Sequence, residues 1–506
     1  MTVIKQQDLI QSIADALQFI SYFHPKDYIQ ALSDAYEREQ SAPAKDAIAQ
    51  ILFNSRLCAE GHRPICQDTG IVVVFLDIGM DVQWDCQCSL DDMINEGVRQ
   101  AYTNPDNVLR ASIVSDPAGK RQNTHDNTPA VIHTRLVPGN TVKVKLAAKG
   151  GGSENKAKFA ALIPSSNLVE WIIKSVADMG AGWCPPGIMG VGIGGTPEKA
   201  MLLAKESLLE PVNFHDLKLK SDQGQVLCRT EELRLELYDK INALGVGAQG
   251  LGGITTVVDV KVLDYPTHAA SLPVALIPNC AATRHTHFTL DGSGPAVMTP
   301  PRLEDWPDVT WTASPRARRV NLDSLTHADI QSWKPGEQLL LCGKLLTGRD
   351  AAHKRIIDTL AKGEPLPDGV DFTNRFIYYV GPVDAVKGES VGPAGPTTSS
   401  RMDKYTETML AETGLIGMVG KAERGPIAIA AIKKHKAVYL IAVGGAAYLI
   451  SKAIEKSRVV AYEELGMEAI YEFEIKDMPV TVGVDVKGES VHLTGPAKWS
   501  RLVQKK

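Results

Sequence analysis

Residues 63–70 read RPICQDTG and lead directly into the apolar run IVVVFL at residues 71–76. Pro64 near the start and Gly70 at the end are typical of a turn that feeds a buried strand. Residues 66–69 of this turn carry a thiol, an amide, a carboxyl group and a hydroxyl in a row. Two interpretations fit the turn by itself: a half-buried free thiol, which often behaves as a small hydrophobe, or a chemically active site beside the strand.

The composition is that of an ordinary globular protein and indicates no charged macromolecular partner. The chain has 506 residues, enough for about two to four domains. Its net charge is −5, so we expect it to bind neither nucleic acid nor an anionic membrane. Residues 1–7 show no signal peptide, and the longest apolar run, residues 437–450, is shorter than the ~18 residues that span a bilayer. We therefore expect a cytoplasmic protein.

The chain divides into two unequal α/β parts. Residues 1–60 show helical periodicity, and residues 70–290 mix strands with helices. A stretch rich in proline and tryptophan then breaks the pattern. We predict a mixed α/β (α+β) fold with a larger N-terminal helical and α/β domain at 1–310, a linker at 311–335, and a smaller C-terminal α/β domain at 336–506.

Glycine clusters punctuate the first domain. Residues 150–152 and 250–253 offer backbone N–H groups that an anion could approach closely. Residues 189–195, MGVGIGG, come nearest to a dinucleotide-binding fingerprint but lack an acidic partner downstream. We interpret residues 190–195 as a flexible connection, and a nucleotide-binding protein is disfavoured.

One hexapeptide, VKGESV, occurs twice, at residues 386–391 and again at residues 486–491. The simplest interpretation is a Lys-Gly turn used twice between short strands. No solenoid period is present.

Three of the eight cysteines have unusual neighbours. Cys66 lies in the opening turn, Cys184 is followed by two prolines, and Cys280 follows a Pro-Asn pair. Each is expected on a loop, where a thiolate can project. The separations match no local zinc motif, so buried structural thiols remain one interpretation. The other is an iron-sulfur cluster, for which thiolates are the appropriate soft ligands and whose fourth iron would be open to substrate.

The second domain contributes cations next to loops. Thr397 or Thr398 could cap a helix, and Arg401 follows Thr397 by about one helical turn. Arg349 and Lys421 also stand beside loops. Together these groups would suit a dicarboxylate, although each by itself could be solvated surface charge.

Taken in order, these pieces resemble the class I (iron-sulfur) fumarate hydratases in their single-chain form. In the first domain the resemblance rests on residues 66–70 (CQDTG), 149–153 (KGGGS), 184–186 (CPP), 247–249 (GAQ) and Cys280. In the second it rests on residues 348–350 (GRD), 395–398 (GPTT), 401–403 (RMD) and 465–469 (LGMEA).

The resemblance implies a hydro-lyase that interconverts fumarate and (S)-malate. It implies a homodimer, a swivelling C-terminal domain, a cleft between the two domains, and a 4Fe-4S cluster held by Cys66, Cys184 and Cys280. The substrate-binding residues that it implies are Gln67, Arg110, Gly150, Gly151, His268, Arg349, Arg401 and Lys421. It also suggests Thr397 as the base on carbon and Asp68 as the acid at the departing oxygen. Rival substrates within the family are L-tartrate and mesaconate, and a non-catalytic iron-sulfur sensor is a further alternative.

Overall fold

The computed structural model describes residues 2–315 and 317–501. Its helices are α1 (Gln6–Tyr22), α2 (Lys26–Arg38), α3 (Ala42–Gly61), α4 (Leu90–Tyr102), α5 (Gly151–Glu154), α6 (Leu168–Met179), α7 (Pro197–Ser207), α8 (Phe214–Asp222), α9 (Arg229–Ala243), α10 (Asp350–Ala361), α11 (Asp403–Glu412), α12 (Pro426–His435), α13 (Ala447–Lys452) and α14 (Val491–Trp499). Among the helices of these residues, none has the length and apolar character that a membrane span requires.

The strands complete a mixed α/β fold, as the sequence predicts. They are β1 (Thr2–Lys5), β2 (Ile71–Gly79), β3 (Val82–Asp85), β4 (Val114–Ser115), β5 (Gln122–Asn123), β6 (Val131–Val137), β7 (Val142–Lys149), β8 (Lys158–Leu162), β9 (Gly187–Gly194), β10 (Val257–Tyr265), β11 (Leu272–Asn279), β12 (His285–Leu290), β13 (Arg318–Asn321), β14 (Gln338–Thr347), β15 (Phe376–Tyr378), β16 (Gly417–Gly420), β17 (Val438–Ile441), β18 (Ile454–Ala461) and β19 (Ile470–Val484).

The opening turn leads into β2, a central strand of a four-stranded sheet with the order β12-β7-β2-β6. Strand β2 pairs antiparallel with β7 and parallel with β6. Its apolar run is buried because α1 and α4 cover one face of the sheet, where residues such as Ile13, Val98 and Val74 form one core. A strand buried between neighbours is a rigid base for the turn that precedes it.

A second four-stranded sheet has the order β10-β9-β11-β8, and it corrects the interpretation of residues 190–195. These residues are no flexible connection: most of them belong to β9, which pairs with both β10 and β11. Glycine is needed here because α7 lies directly on the strand. A Cβ on Gly192 would lie 2.6 Å from the backbone nitrogen of Ala204, and one on Gly190 would lie 2.8 Å from the side chain of Ser207.

The third sheet, in the C-terminal half, has seven strands in the order β13-β14-β15-β16-β17-β19-β18. Each strand from β13 to β17 pairs in parallel with the next one along the chain. The long strand β19 is antiparallel and pairs with both β17 and β14, so that β14, β15, β16, β17 and β19 form a closed ring. Closure leaves these strands without a free edge.

The segment predicted as a linker, residues 311–335, is partly built into this third sheet. Its residues 318–321 form β13, and Trp333 is 1% exposed within the core of the sheet. The reason is burial of apolar surface, which a count of prolines does not reveal. The boundaries 1–310 and 336–506 stay predictions.

The two halves also share packed core. One continuous cluster of buried residues contains Leu52, Ile188 and Ala281 from the first half together with Leu346 and Leu449 from the second. Asn54 of α3 fixes the start of α13, because its Oδ1 accepts the backbone N–H groups of Tyr448 and Leu449, both at 2.9 Å. These contacts hold the second half against the first.

The packing of α7 on β9 can be tested with Gly192→Ala. We expect the free energy of unfolding to fall by about 1–3 kcal/mol, because the added methyl overlaps the helix backbone. Chemical denaturation would measure the loss. The control is Ala161→Val at an exposed position of the edge strand β8, and it should change the free energy of unfolding little. Equal stability of Gly192→Ala and the parent chain would contradict the close approach.

Candidate active site

The turn before β2 is held by backbone contacts on both sides. The N–H of Ile65 donates to the carbonyl of Ser21 at 2.8 Å, and the Thr69 hydroxyl donates to the carbonyl of Arg110 at 2.6 Å. Cys66 lies between these anchors and is 8% exposed. The thiol therefore has a fixed place next to a core strand.

Cys184 and Cys280 lie at the same end of the second sheet. Strands β9 and β11 are antiparallel with Ile188 opposite Asn279, so the residue after β11 stands beside the residues before β9. The N–H of Ala281 donates to the carbonyl of Cys184 at 3.0 Å. Cys184 adopts a left-handed conformation, with φ of 60°, that turns the chain into β9.

The three cysteines meet around Lys421, which comes from the C-terminal half. The Nζ of Lys421 donates a hydrogen bond to Sγ of Cys184 at 2.9 Å. Burial alone would lower the pKa of Lys421, but the negative charge of Cys184, Cys66 and Cys280 outweighs it and raises that pKa. Burial raises the pKa of the Cys184 thiol to about 11, against the opposing charge of Lys421. The predicted ligand set is thus brought to one place with a cation beside it.

In residues 2–315 and 317–501, no three His, Cys, Asp or Glu side chains are placed to share a single metal ion. An iron-sulfur cluster needs wider spacing, because each thiolate binds a different iron. Gly444 packs directly against one of these thiols: a Cβ there would lie 2.5 Å from Sγ of Cys184, so glycine leaves this sulfur its place. Gln249 fixes this approach by accepting the Gly444 N–H at 2.8 Å.

Asp68 forms an adjoining polar corner with the glycine loop. Its Oδ2 accepts the N–H of Gly151 at 2.8 Å, and its Oδ1 lies 3.6 Å from Nη2 of Arg110. Burial would raise the pKa of Asp68, but Arg110, Arg284 and the Gly151 N–H together hold it below its usual range. A Cβ on Gly150 would lie 3.0 Å from Oδ2 of Asp68, so a side chain there would crowd this carboxylate.

Gln67 carries the turn across to the loop of Thr397. Its Nε2 donates to the carbonyl of Pro396 at 3.1 Å, and its Oε1 occupies the space that a side chain on Gly395 would fill. Thr397 is 8% exposed. Its carbonyl accepts the backbone N–H of Lys421 at 3.2 Å, so the threonine and the lysine beside the thiols are directly joined.

Two further arginines of the C-terminal half differ in burial. Arg349 is 7% exposed, and burial together with the charge of Arg110 lowers its pKa to about 10. Arg401 is exposed and pairs with Asp350 at 2.5 Å, yet its charge also lowers the pKa of Arg349. The nearest acid to Arg349 is Glu468, whose Oε1 lies 3.7 Å from Nη2. Three guanidinium groups near one another form a place suited to carboxylates.

Comparison with known proteins identifies the family. A family model described as "Fumarate hydratase (Fumerase)" matches residues 10–289, and one described as "Fumarase C-terminus" matches residues 292–495. The chain belongs to the class I fumarate hydratase family.

Several curated relatives of this family align along almost the whole chain. "Fumarate hydratase class I, anaerobic" from Escherichia coli (strain K12) is 31% identical over 94% of this chain and 87% of its own length. "Fumarate hydratase 2" from Leishmania major is 30% identical over 94% of this chain and 85% of its own. "Putative L(+)-tartrate dehydratase subunit alpha" from Methanocaldococcus jannaschii is 31% identical over 54% of this chain and 94% of its own.

The structure does not bring His268, which the family resemblance implies as a site residue, to the other residues. His268 is exposed and follows β10, whose end lies beside Gly194 at the end of β9. Cys184 lies before the start of β9. Strands rise ~3.3 Å per residue, so the length of β9 puts His268 roughly 25 Å from Cys184 within one chain. The role of His268 stays a prediction.

The sequence analysis did not identify Arg284 as a candidate site residue. In the structure its side chain lies near Asp68 and Gly150. It is 3% exposed, and its Nε has no hydrogen-bond partner in the described part of the chain. Its charge acts to lower the pKa of both Cys66 and Asp68. The only signal in the sequence is that Arg284 follows Cys280 by four residues.

Thr398 was considered as a helix cap, and the structure corrects this interpretation. It precedes a short 3₁₀ helix, Ser399–Met402, but its side chain makes no capping hydrogen bond. Its backbone instead bridges to Lys421, and its Oγ1 would lie 3.9 Å from a Cβ on Gly152. Thr398 thus faces the glycine loop. Because α11 begins only at Asp403, one regular helical turn does not relate Thr397 to Arg401.

The close approach of Gly444 to Cys184 gives a test of cluster binding. The parent chain, reconstituted anaerobically, should bind about four iron and four sulfide per chain. Gly444→Ala should bind distinctly less iron, because the methyl would displace Cys184. Gly151→Ala is the matched control: its Cβ would be 3.8 Å from the nearest atom, so iron content should be kept. Full iron content in Gly444→Ala would show that Cys184 is not a ligand in this place.

Proposed function

We propose that this chain is a fumarate hydratase that reversibly adds water to fumarate to give (S)-malate. The observation that carries the proposal is the double contact of Lys421. Its side chain bonds Cys184 of the N-terminal half, and its backbone bonds Thr397 of the C-terminal half. This double contact supports a single site for the predicted ligands and the predicted base, and we propose that it lies in a cleft between two domains.

Cys66, Cys184 and Cys280 would hold a 4Fe-4S cluster. With three protein thiolates, such a cluster supplies a Lewis acid that polarises the substrate hydroxyl and eases loss of hydroxide. The chain contributes the surrounding charge: Lys421 donates to Cys184, and Arg284 lies near Cys66. Both cations would offset the negative charge that three thiolates bring into a buried place.

Arginines would orient the substrate by its two carboxylates. The charges of Arg110 of the N-terminal half and Arg401 of the C-terminal half both act to lower the pKa of Arg349. A dicarboxylate would relieve this repulsion, and guanidinium groups bind carboxylates in a fixed, two-pronged geometry. The backbone N–H groups of Gly150 and Gly151, with Gln67, would complete the site from the first half.

Two groups would move protons on opposite sides of the substrate. In dehydration Thr397 takes the proton from carbon, and Asp68 gives one to the departing oxygen. In hydration the roles reverse, and Asp68 begins as the ionised carboxylate that its lowered pKa favours. A free threonine is too weakly acidic to ionise at neutral pH, so this role depends on the cations Lys421 and Arg401 favouring the alkoxide of Thr397.

At the level of the whole protein, we propose a cytoplasmic homodimer with a swivelling C-terminal domain. The closed ring of the third sheet, whose strands all lie within residues 338–484, supports a separate C-terminal domain. His268 keeps its predicted role as a substrate-binding residue.

Substrate choice can be measured directly. Reconstituted protein should change the ultraviolet absorbance of fumarate and of (S)-malate as the double bond is lost or formed. We expect turnover of these acids at least tenfold above that of L-tartrate or mesaconate, because nearly the whole chain aligns with proteins named fumarate hydratase. Higher turnover of tartrate or mesaconate would contradict the proposed substrate. No turnover of any of them by iron-loaded protein would favour the non-catalytic alternative.

The role of Thr397 can be tested with Thr397→Ala. Loss of the hydroxyl should lower kcat by about 10²–10⁴-fold, the usual effect of removing a general base. Iron and sulfide content should stay at the parent level, since Thr397 is no cluster ligand. Thr397→Ser is the matched control and should keep measurable turnover. Parent-like kcat in Thr397→Ala with the cluster intact would rule out this base.

A further inference from the structure

The two copies of the hexapeptide VKGESV have different surroundings. The first copy, residues 386–391, lies in the loop between β15 and β16 that ends at Thr397. The second copy, residues 486–491, follows β19 and leads into α14, and its Glu489 is exposed. The shared Lys-Gly turn is as predicted, but the two glutamates differ in what they contact.

Glu389 of the first copy forms a buried ion pair with Arg63. The Nε of Arg63 donates to Oε1 of Glu389 at 2.9 Å, and Nη2 donates to Oε2 at 3.0 Å. The side chains of Arg63 and Glu389 are only 3% and 10% exposed. A two-pronged pair of this kind fixes both distance and orientation, which a single contact does not.

Every remaining contact of this guanidinium also holds backbone or buried side chains in place. Nη1 of Arg63 donates to Oδ1 of Asn107 at 2.9 Å, and Nη2 donates to the carbonyl of Asp384 at 3.2 Å. On the other side, Oε2 of Glu389 accepts the N–H of Val386 at 3.2 Å. Arg63 and Glu389 are thus each hydrogen-bonded to neighbouring residues as well as to one another.

The pair connects the two segments that carry the proposed chemistry. Arg63 stands three residues before Cys66, and Glu389 stands eight residues before Thr397. The same loop, residues 381–397, is held at its ends by Arg110, which donates to the carbonyl of Gly381 at 2.6 Å, and by Gln67. Both of those residues face the proposed substrate. Between these ends, the ion pair attaches the loop to the N-terminal half at a point apart from the site, while Ser390 and Ala394 bond other parts of the C-terminal half.

We propose that Arg63 and Glu389 are a positioning pair that sets the Thr397 loop against the turn of Cys66, Gln67 and Asp68. The inference rests on the proposed function for its kinetic test. The reason is geometric: the base and acid belong to segments 329 positions apart, and a misplacement of about 1 Å can cost 10²-fold in rate. The pair touches no substrate-binding group, so its effect passes through the loop.

The test compares Glu389→Gln with Glu489→Gln, which is the same substitution in the second copy. Glu489 has no ion pair in the described part of the chain, so its variant should behave as the parent. Glu389→Gln should lower kcat at least tenfold, change KM by less than about threefold, and keep the parent iron and sulfide content. Unchanged kcat in Glu389→Gln, or an equal loss in Glu489→Gln, would overturn the proposal.

A second measurement does not depend on activity. Hydrogen exchange of residues 381–397 should be faster in Glu389→Gln than in the parent and unchanged in Glu489→Gln. Unchanged exchange in Glu389→Gln would overturn the proposal. If the parent hydrates no fumarate, the proposed function fails, and exchange alone then decides whether the pair holds the loop.

The double variant Arg63→Gln/Glu389→Gln completes the comparison. A positioning pair acts as a unit, so the kcat of the double variant should be no lower than that of the worse of its two single variants, Arg63→Gln and Glu389→Gln. Losses that multiply would show two independent effects and would overturn the pair. A general loss of folding would instead lower iron content and speed exchange along the whole chain, and that result would also overturn a positioning role.

Discussion

The site depends on the partly buried ammonium of Lys421, which donates a hydrogen bond to Cys184. A cation removed from water is costly unless negative groups surround it, and Cys184, Cys66 and Cys280 would supply that charge once they are ionised as ligands. Because the same lysine donates its backbone N–H to the carbonyl of Thr397, one residue sets the threonine relative to the thiols. Lys421 therefore both places a positive charge beside the thiols and positions Thr397 relative to them.

The two halves of the chain approach so closely that side chains are excluded at several points. Gly395 leaves space for Gln67, and Gly444 leaves space for Cys184. Asn54 of α3, fully buried, caps the first turn of α13 and fixes the other end of this contact. Because protein interiors are close-packed, such contacts fix the position of residues in one half relative to residues in the other.

Elements with a strong local signal were predicted from the sequence. The helices of residues 1–60 and the strand of residues 71–76 are present because their apolar periodicity is explicit. The interpretation of residues 190–195 was wrong, because glycine marks flexibility and close helix packing alike. Part of the expected linker at 311–335 forms β13, because pairing with a strand further along the chain decides its conformation.

The sequence by itself determined the family, the fold class and which residue types could carry the chemistry, because those depend on identity and local spacing. Only the tertiary structure decided that Arg349 is buried while Arg401 pairs with Asp350 in solvent, and that His268 lies at the far end of a strand. Only it revealed Arg284 beside Asp68. The physical reason is that burial and distance between remote segments follow from packing, and no single stretch of sequence encodes them.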